Sequence, residues 1–393
     1  MIQLEGRIEI IKKVASTYGT PIYIYFVEEI LKRIEIVKYV FNGINVLPTF
    51  ACKSNNNPRI IEIFNKHGFG VDIVSLGEYQ AAKLATVDDS KIVWNGNGKS
   101  KVDMEYLKSR IKYVNIDSFE EYERWLSIEK LPDSLEFFLR INPDVDPKTH
   151  PHISTGLKEN KFGIHVEDIE KILKKGKLNV VGFHLHIGSQ ITDVEPFKES
   201  IQRVVELSEK YGFSKINIGG GWGIRYNDKE LDVEEYKKRV VPYLSSFEQV
   251  IIELGRYLIG PAGILVTKVE YVKKTPHKTF IVLDSGMNHL IRYAMYNAYH
   301  RIDVLDPLES EQSVVDVVGP LCESGDILAS ERILKIPVEG SYVVIQDTGA
   351  YGYSMANNYN SMPLPAEVLV SKNNEYKLIR RRENISEIFK TIV

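Results

Sequence analysis

Eight short runs rich in β-branched and apolar residues, at 46–52, 70–74, 91–95, 113–117, 136–142, 180–186, 215–219 and 249–253, are separated by longer stretches in which charged and apolar residues follow helical spacing. That rhythm belongs to βα units and a parallel sheet. Eight units in succession predict a closed (β/α)8 barrel, a fold of about 250 residues. The chain has 393 residues, so a second domain is expected as well. After about residue 265 the pattern changes to short strands punctuated by turns, at 264–274, 279–283, 314–319, 341–346 and 366–371, which reads as a mostly antiparallel β domain. The run TPIYIYF at 20–26 precedes the first barrel strand and could join this second sheet. The expected division is a barrel over 27–265 and a discontinuous β domain of 1–26 plus 266–393.

A net charge of -3, with 26% charged residues of both signs, provides no field to attract nucleic acid or an anionic membrane. Small molecules or protein are the expected partners. Charges interrupt the apolar positions of MIQLEGRIEIIKK, and no later stretch is long enough to span a bilayer, so a cytoplasmic protein without a membrane segment is expected. The two cysteines, Cys52 and Cys322, lack the paired spacing of a zinc site or a disulfide framework.

In a (β/α)8 barrel the residues just past the carboxyl ends of the strands build the active site. Here those positions are polar or glycine-rich: Lys53-Ser54-Asn55, Asp72, Asn95-Gly96-Asn97, Arg140-Ile141-Asn142, His186 to Ser189, Gly219-Gly220-Gly221 and Glu253 to Arg256. Most lysines are solvated surface charges, but Lys53 emerges from the apolar run NVLPTFAC and must be desolvated or paired. Desolvation favours the neutral amine and makes Lys53 a candidate Schiff-base nucleophile. Glycine-rich turns are common and weak as evidence on their own. Three successive glycines after the seventh strand nevertheless let backbone N–H groups approach a phosphate, where barrels commonly bind one. Ser189 could add a hydroxyl to the same place. His184 and His186 share one strand face, so a metal pair has to be considered, but no third ligand lies near in sequence and no metal is expected. A flat imidazole packed on an aromatic cofactor fits at least one of them better. Glu253 either pairs with Arg256 three residues on or faces a ring nitrogen and keeps it protonated, as pyridoxal phosphate requires. Cys322, in CESGD, is either a small buried hydrophobe or, beside two acids, a protonated thiol able to donate a proton.

Taken together, FACKSN (50–55), GFGVDIVSLGE (68–78), NGNGKS (95–100), THPHISTGLKENKFGI (149–164), HLHIGSQI (184–191), NIGGGWGI (217–224), ELGR (253–256), GPLCESGD (319–326) and GAYGYSMANNYNSMPLPAEVLV (349–370) resemble the alanine-racemase-like group of pyridoxal-phosphate enzymes, specifically its decarboxylases. The 149–164 and 349–370 segments look particularly like diaminopimelate decarboxylases. The resemblance implies pyridoxal 5'-phosphate bonded to Lys53, with His186 over one face of its ring. It implies a phosphate held by Ser189, Gly219, Gly220 and Gly221, with Tyr351 closing the site. Glu253 would contact the ring nitrogen within the segment Glu253, Leu254, Gly255, Arg256. Arg256, Arg292, Tyr296, Glu323 and Tyr351 would hold the substrate, and Cys322 would protonate the α-carbon. The implied reaction is decarboxylation of meso-2,6-diaminopimelate to L-lysine and CO2, the last step of lysine biosynthesis. The implied assembly is a homodimer whose Cys322-Glu323 segment serves the neighbouring subunit's site.

Two arginines and an acid suit a substrate whose distal end carries both a carboxylate and an ammonium better than ornithine or arginine, whose distal end is a cation alone. A racemase would need a second base opposite Lys53. A non-catalytic homologue would have lost Lys53 or the glycines. The chain departs from the family at Leu254 (usually proline), Ser54 (usually alanine), and Met362 and Leu364 (near which arginines are usual), none of which carries the assigned chemistry.

Overall fold

The computed structural model describes residues 4–142, 162–176, 178–227, 229–305, 307 and 312–393. Most of the 149–164 segment singled out above lies outside them. The chain divides into two compact units: Ile34–Ile224 with Glu230–Tyr257, and Met1–Arg33 with Arg225–Lys229 and Leu258–Val393.

The first unit is a closed barrel of eight parallel strands. After β1 (Ile22–Phe26), which lies outside it, the barrel strands are β2 (Val46–Ala51), β3 (Gly70–Ile73), β4 (Ile92–Trp94), β5 (Tyr113–Ile116), β6 (Glu136–Arg140), β7 (Val180–His184), β8 (Lys215–Asn217) and β9 (Gln249–Leu254). β9 closes onto β2, with Val46 opposite Val250 and Phe50 opposite Leu254. The predicted (β/α)8 fold is therefore present. Side-chain caps fix where several following helices begin. Asn57, Ser75, Ser100 and Ser118 accept from the N–H groups of Arg59, Glu78, Asp103 and Glu121, respectively. Each cap satisfies an orphan donor of the first turn and so sets the length of the loop leaving the barrel mouth.

The second unit holds a nine-stranded sheet containing β1, β10 (Gly263–Lys274), β11 (Thr279–Leu283), β12 (Ile302–Val304), β13 (Gln312–Val318), β14 (Ile327–Lys335), β15 (Tyr342–Ile345), β16 (Ala366–Val370) and β17 (Tyr376–Arg380). β1 lies between β10, antiparallel, and β16, parallel. β11 and β13 also pair in parallel, and the remaining pairs are antiparallel. All five β1 residues are buried, Ile22, Ile24 and Phe26 in an apolar cluster with Ile264, Val266 and Val368. Burial on both faces explains why IYIYF lacks the alternation of a half-exposed strand. β12, β14 and β17 were not anticipated. Beyond Ala329, β14 alternates half-buried and exposed positions and carries Glu331, Arg332 and Lys335, which obscures a strand in the sequence.

Candidate active site

Leu47, Val93, Tyr113, Phe138 and Ile251, from five barrel strands, form a buried apolar cluster. Strand side chains return to the same face every second residue. Two positions beyond Val93, Tyr113, Phe138 and Ile251 stand Asn95, Asn115, Arg140 and Glu253, all buried. The barrel interior thus changes from apolar to polar within one pleat, just below the mouth.

Glu253 is the focus of this layer. Its Oε1 accepts from Nδ2 of Asn95 at 2.9 Å, Asn115 at 2.9 Å and Asn217 at 2.7 Å. Its Oε2 lies 3.3 Å from His184 Nε2. Burial alone would raise the Glu253 carboxyl, but the neighbouring His184 and the amide donors outweigh it and hold the group below the usual carboxylate range. The side chain is an anion in a set of fixed donors. The alternative reading of Glu253, a simple pair with Arg256, is not its environment: Arg256 donates through Nη2 to Ser189 Oγ at 3.0 Å.

Asp72 accepts from Asn95 Nδ2 at 2.6 Å, and its other oxygen is buried without a hydrogen-bond partner among the described residues. Burial, and next the Glu253 charge, push its carboxyl up to about 8, against the opposing pull of Lys53. A buried acid with a raised pKa favours the folded state while protonated. Its contribution is complete below the ordinary value of 3.8 and is lost as pH rises toward about 8. Asp72→Asn mimics the protonated form, so its stability relative to the parent should rise from pH 4 to 8 and level off above, read by thermal unfolding across pH. A pH-independent difference would contradict this.

Lys53 occupies a 3-10 turn, Cys52–Ser54, directly after β2. It is exposed between buried Cys52 and Ser54 rather than desolvated, because the turn carries its side chain past the end of the strand. Its charge reaches Asp72 and Glu78. Ser54 donates to Ala51 O at 2.7 Å, so the hydroxyl at this usual alanine position has a partner. Leu254 pairs with Phe50 in the barrel ladder, so β9 continues past Glu253 without the usual proline.

His186 Nδ1 accepts from Gly220 N–H at 3.2 Å. Burial, then the Lys53 charge, keep the ring well below its usual pKa, so it is neutral with its proton on Nε2. Gly219 and Gly221 have φ of +61° and +104°, and a Cβ at Gly220 would lie 2.0 Å from Glu253 O. Only glycine fits this turn. Gly219 N–H donates to Asn217 Oδ1 at 3.0 Å, so two of the three glycine amides have protein partners, while Gly221 N–H has none among the described residues.

The other unit carries the remaining expected residues. Arg292 is buried and donates through Nη1 to Tyr226 Oη and His300 Nε2, both at 2.8 Å. His300 Nδ1 bonds Gln346 O at 2.8 Å, which leaves Nε2 as the acceptor. Tyr296 ends the helix Arg292–Tyr296, one turn beyond Arg292. Tyr351 is half-buried with φ of +57°, a backbone state uncommon for a non-glycine residue. Cys322 and Glu323 are exposed on a turn braced by Asp326, whose carboxylate accepts from Met287 N–H at 2.6 Å and Leu321 N–H at 2.7 Å. Cys322 is therefore not a buried hydrophobe. Asn115, Asn217, Tyr226 and His300 were not singled out in the sequence. Asn115 could have been found by stepping two residues from the apolar barrel position Tyr113, whereas the same step back from Asn217 meets Lys215, which gives no such signal.

Residues 27–260 match the family described as "Pyridoxal-dependent decarboxylase, pyridoxal binding domain". The chain belongs to this family. It is 39% identical to the diaminopimelate decarboxylase of Aquifex aeolicus over 392 residues, covering 96% of this chain and 93% of that protein. It resembles the crystal structure of diaminopimelate decarboxylase from Helicobacter pylori complexed with L-lysine, with a TM-score of 0.90 and 34% identity over 97% of this chain and 98% of the other. The Methanocaldococcus jannaschii diaminopimelate decarboxylase structure, also with L-lysine, gives a TM-score of 0.89 at 37% identity over 97% and 94%. Among the described residues no helix is long and apolar enough to cross a membrane.

The family's cofactor, pyridoxal phosphate, suits the donors present. Oε2 of the anionic Glu253 lies 3.3 Å from His184 Nε2 and has no other hydrogen-bonding partner among the described residues, so that oxygen can take a ring N–H. The neutral His186 can lie against an aromatic ring without competing for a proton. The N–H of Gly221, a residue that lies against Gly188, and the Ser189–Arg256 pair are donors that can meet a phosphate.

Proposed function

We infer that the protein is a diaminopimelate decarboxylase, releasing CO2 from meso-2,6-diaminopimelate to give L-lysine. The observation that carries this reading is the match along nearly the whole chain to proteins of that name, two of them with L-lysine bound.

In the mechanism we derive, the Lys53 amine, on the turn that ends β2, would be the group that holds the cofactor covalently. When bound, pyridoxal phosphate supplies an electron sink for the pair left by the departing carboxylate. Glu253 would hold a proton at the ring nitrogen, because a fixed anion close to that atom favours its protonated state. His186, neutral and tethered to Gly220, would pack on the ring. Ser189, Gly219, Gly220, Gly221 and Arg256 hold the phosphate end, with Leu254 and Gly255 forming the turn between Glu253 and Arg256. Arg256, Arg292, Tyr296, Glu323 and Tyr351 would hold the distal amino-acid end, and Cys322 would return a proton to the α-carbon. The assembly is a two-fold homodimer in which the 320–326 turn of one subunit serves the other's site, supported by the exposure of Cys322 and Glu323.

Substrate choice is tested by CO2 release from meso-diaminopimelate beside ornithine and arginine, using purified protein with pyridoxal phosphate. Lysine formed from diaminopimelate, with no release from the other two, is the expected result. Release only from ornithine or arginine would overturn the substrate assignment.

A further inference from the structure

Lys99 is nearly the last place to expect a lysine: its side chain is 1% exposed. An ammonium has three donors and no acceptor, so burial is tolerable only if all three are used. Here they are. Lys99 Nζ donates to Gly96 O and to Asn115 O at 2.8 Å, and lies 2.9 Å from Glu121 Oε1. Glu121 is itself buried and reaches back from the first turn of its helix to accept Asp117 N–H at 3.0 Å.

The two carbonyls that Lys99 holds belong to the backbone around the asparagines bonded to Glu253. Gly96 immediately follows Asn95, and Asn115 is one of the donors itself. Asn115 Nδ2 also donates to Asn95 Oδ1 at 2.7 Å, so the two amides form one chain into the carboxylate. A shift of either carbonyl would turn an amide away from Glu253 Oε1.

We propose that Lys99, locked by Glu121, is a positioning residue that aims Asn95 and Asn115 at Glu253 and thereby sets its hold on the cofactor's ring nitrogen. This rests on the reading of Glu253 as the ring-nitrogen partner. The alternative is that Lys99 merely neutralises Glu121. A buried pair with a structural role alone can be exchanged for apolar residues with little loss.

The test is the dissociation constant of the full-length apoprotein for pyridoxal phosphate and for its 1-deaza analogue, which has carbon in place of the ring nitrogen. The parent protein should prefer pyridoxal phosphate. Lys99→Met should lower that preference roughly tenfold, the size expected for a disturbed hydrogen bond to a charged group. The double variant Lys99→Met/Glu121→Leu, which leaves no buried charge unpaired, should remain equally impaired, since both carbonyls still lack their donor. Recovery of the preference in the double variant, or its retention in both, would overturn the proposal. A parent protein with no preference would instead overturn the reading of Glu253.

Discussion

Lys53→Ala is expected to lower turnover of meso-diaminopimelate by roughly 10,000-fold or more, the scale seen when a covalently acting residue is removed. The side chain stands on a turn at the end of a barrel strand, flanked by buried Cys52 and Ser54, so alanine removes the amine and leaves the turn's packing intact. Its exposure means that its loss opens no cavity, and the unfolding temperature should change little. An activity loss of this size without a stability loss would mark a chemical role. A variant retaining a tenth of the parent rate would remove Lys53 from the mechanism. The same variant probes the shared site. If one subunit's Cys322 serves the other's Lys53, mixing Lys53→Ala with Cys322→Ala protein should restore activity that neither possesses alone. No recovery on mixing, with subunits shown to exchange, would place both residues within one subunit's site.

The barrel was legible because most residues of its parallel strands are buried and the strands are predominantly apolar, while the helices between them carry most of the charges. Lys53, Glu253 and the triple glycine stood out because each violates the expectation for its place: a charge ending an apolar strand, or three flexible residues where a turn needs one. The donors around Glu253 were less visible. An asparagine at a strand end is ordinary in isolation, and only the closure of the barrel brings Asn95, Asn115 and Asn217, from three strands, onto one oxygen. Lys99 was hidden for the same reason. In the sequence it is a lysine beside a serine at a helix start, indistinguishable from a solvated one. Its burial follows from a carbonyl on the loop after β4, a carbonyl within β5 and a carboxylate on the next helix.

Glu253→Gln should reduce the decarboxylation rate by about 100- to 1,000-fold, comparable to removing one preorganised electrostatic contact. Three amide N–H groups converge on Oε1, so the substituted glutamine must place its carbonyl oxygen there to avoid three donor–donor clashes. That orientation directs its NH2 to where Oε2 stood, toward His184 and the cofactor ring. An N–H donor at that place accepts no proton from the ring nitrogen and favours its unprotonated state. The electron sink is weakened at the step that needs it, while the shape of the site is preserved. The loss should therefore appear in kcat, with cofactor affinity falling much less. Glu253→Asp should differ in kind: it keeps the charge but withdraws it by a methylene from both the amides and the ring, so cofactor affinity and turnover should fall together. If Glu253→Gln kept the parent kcat, the ring nitrogen would not depend on this carboxylate, and the three asparagines would be holding a structural anion.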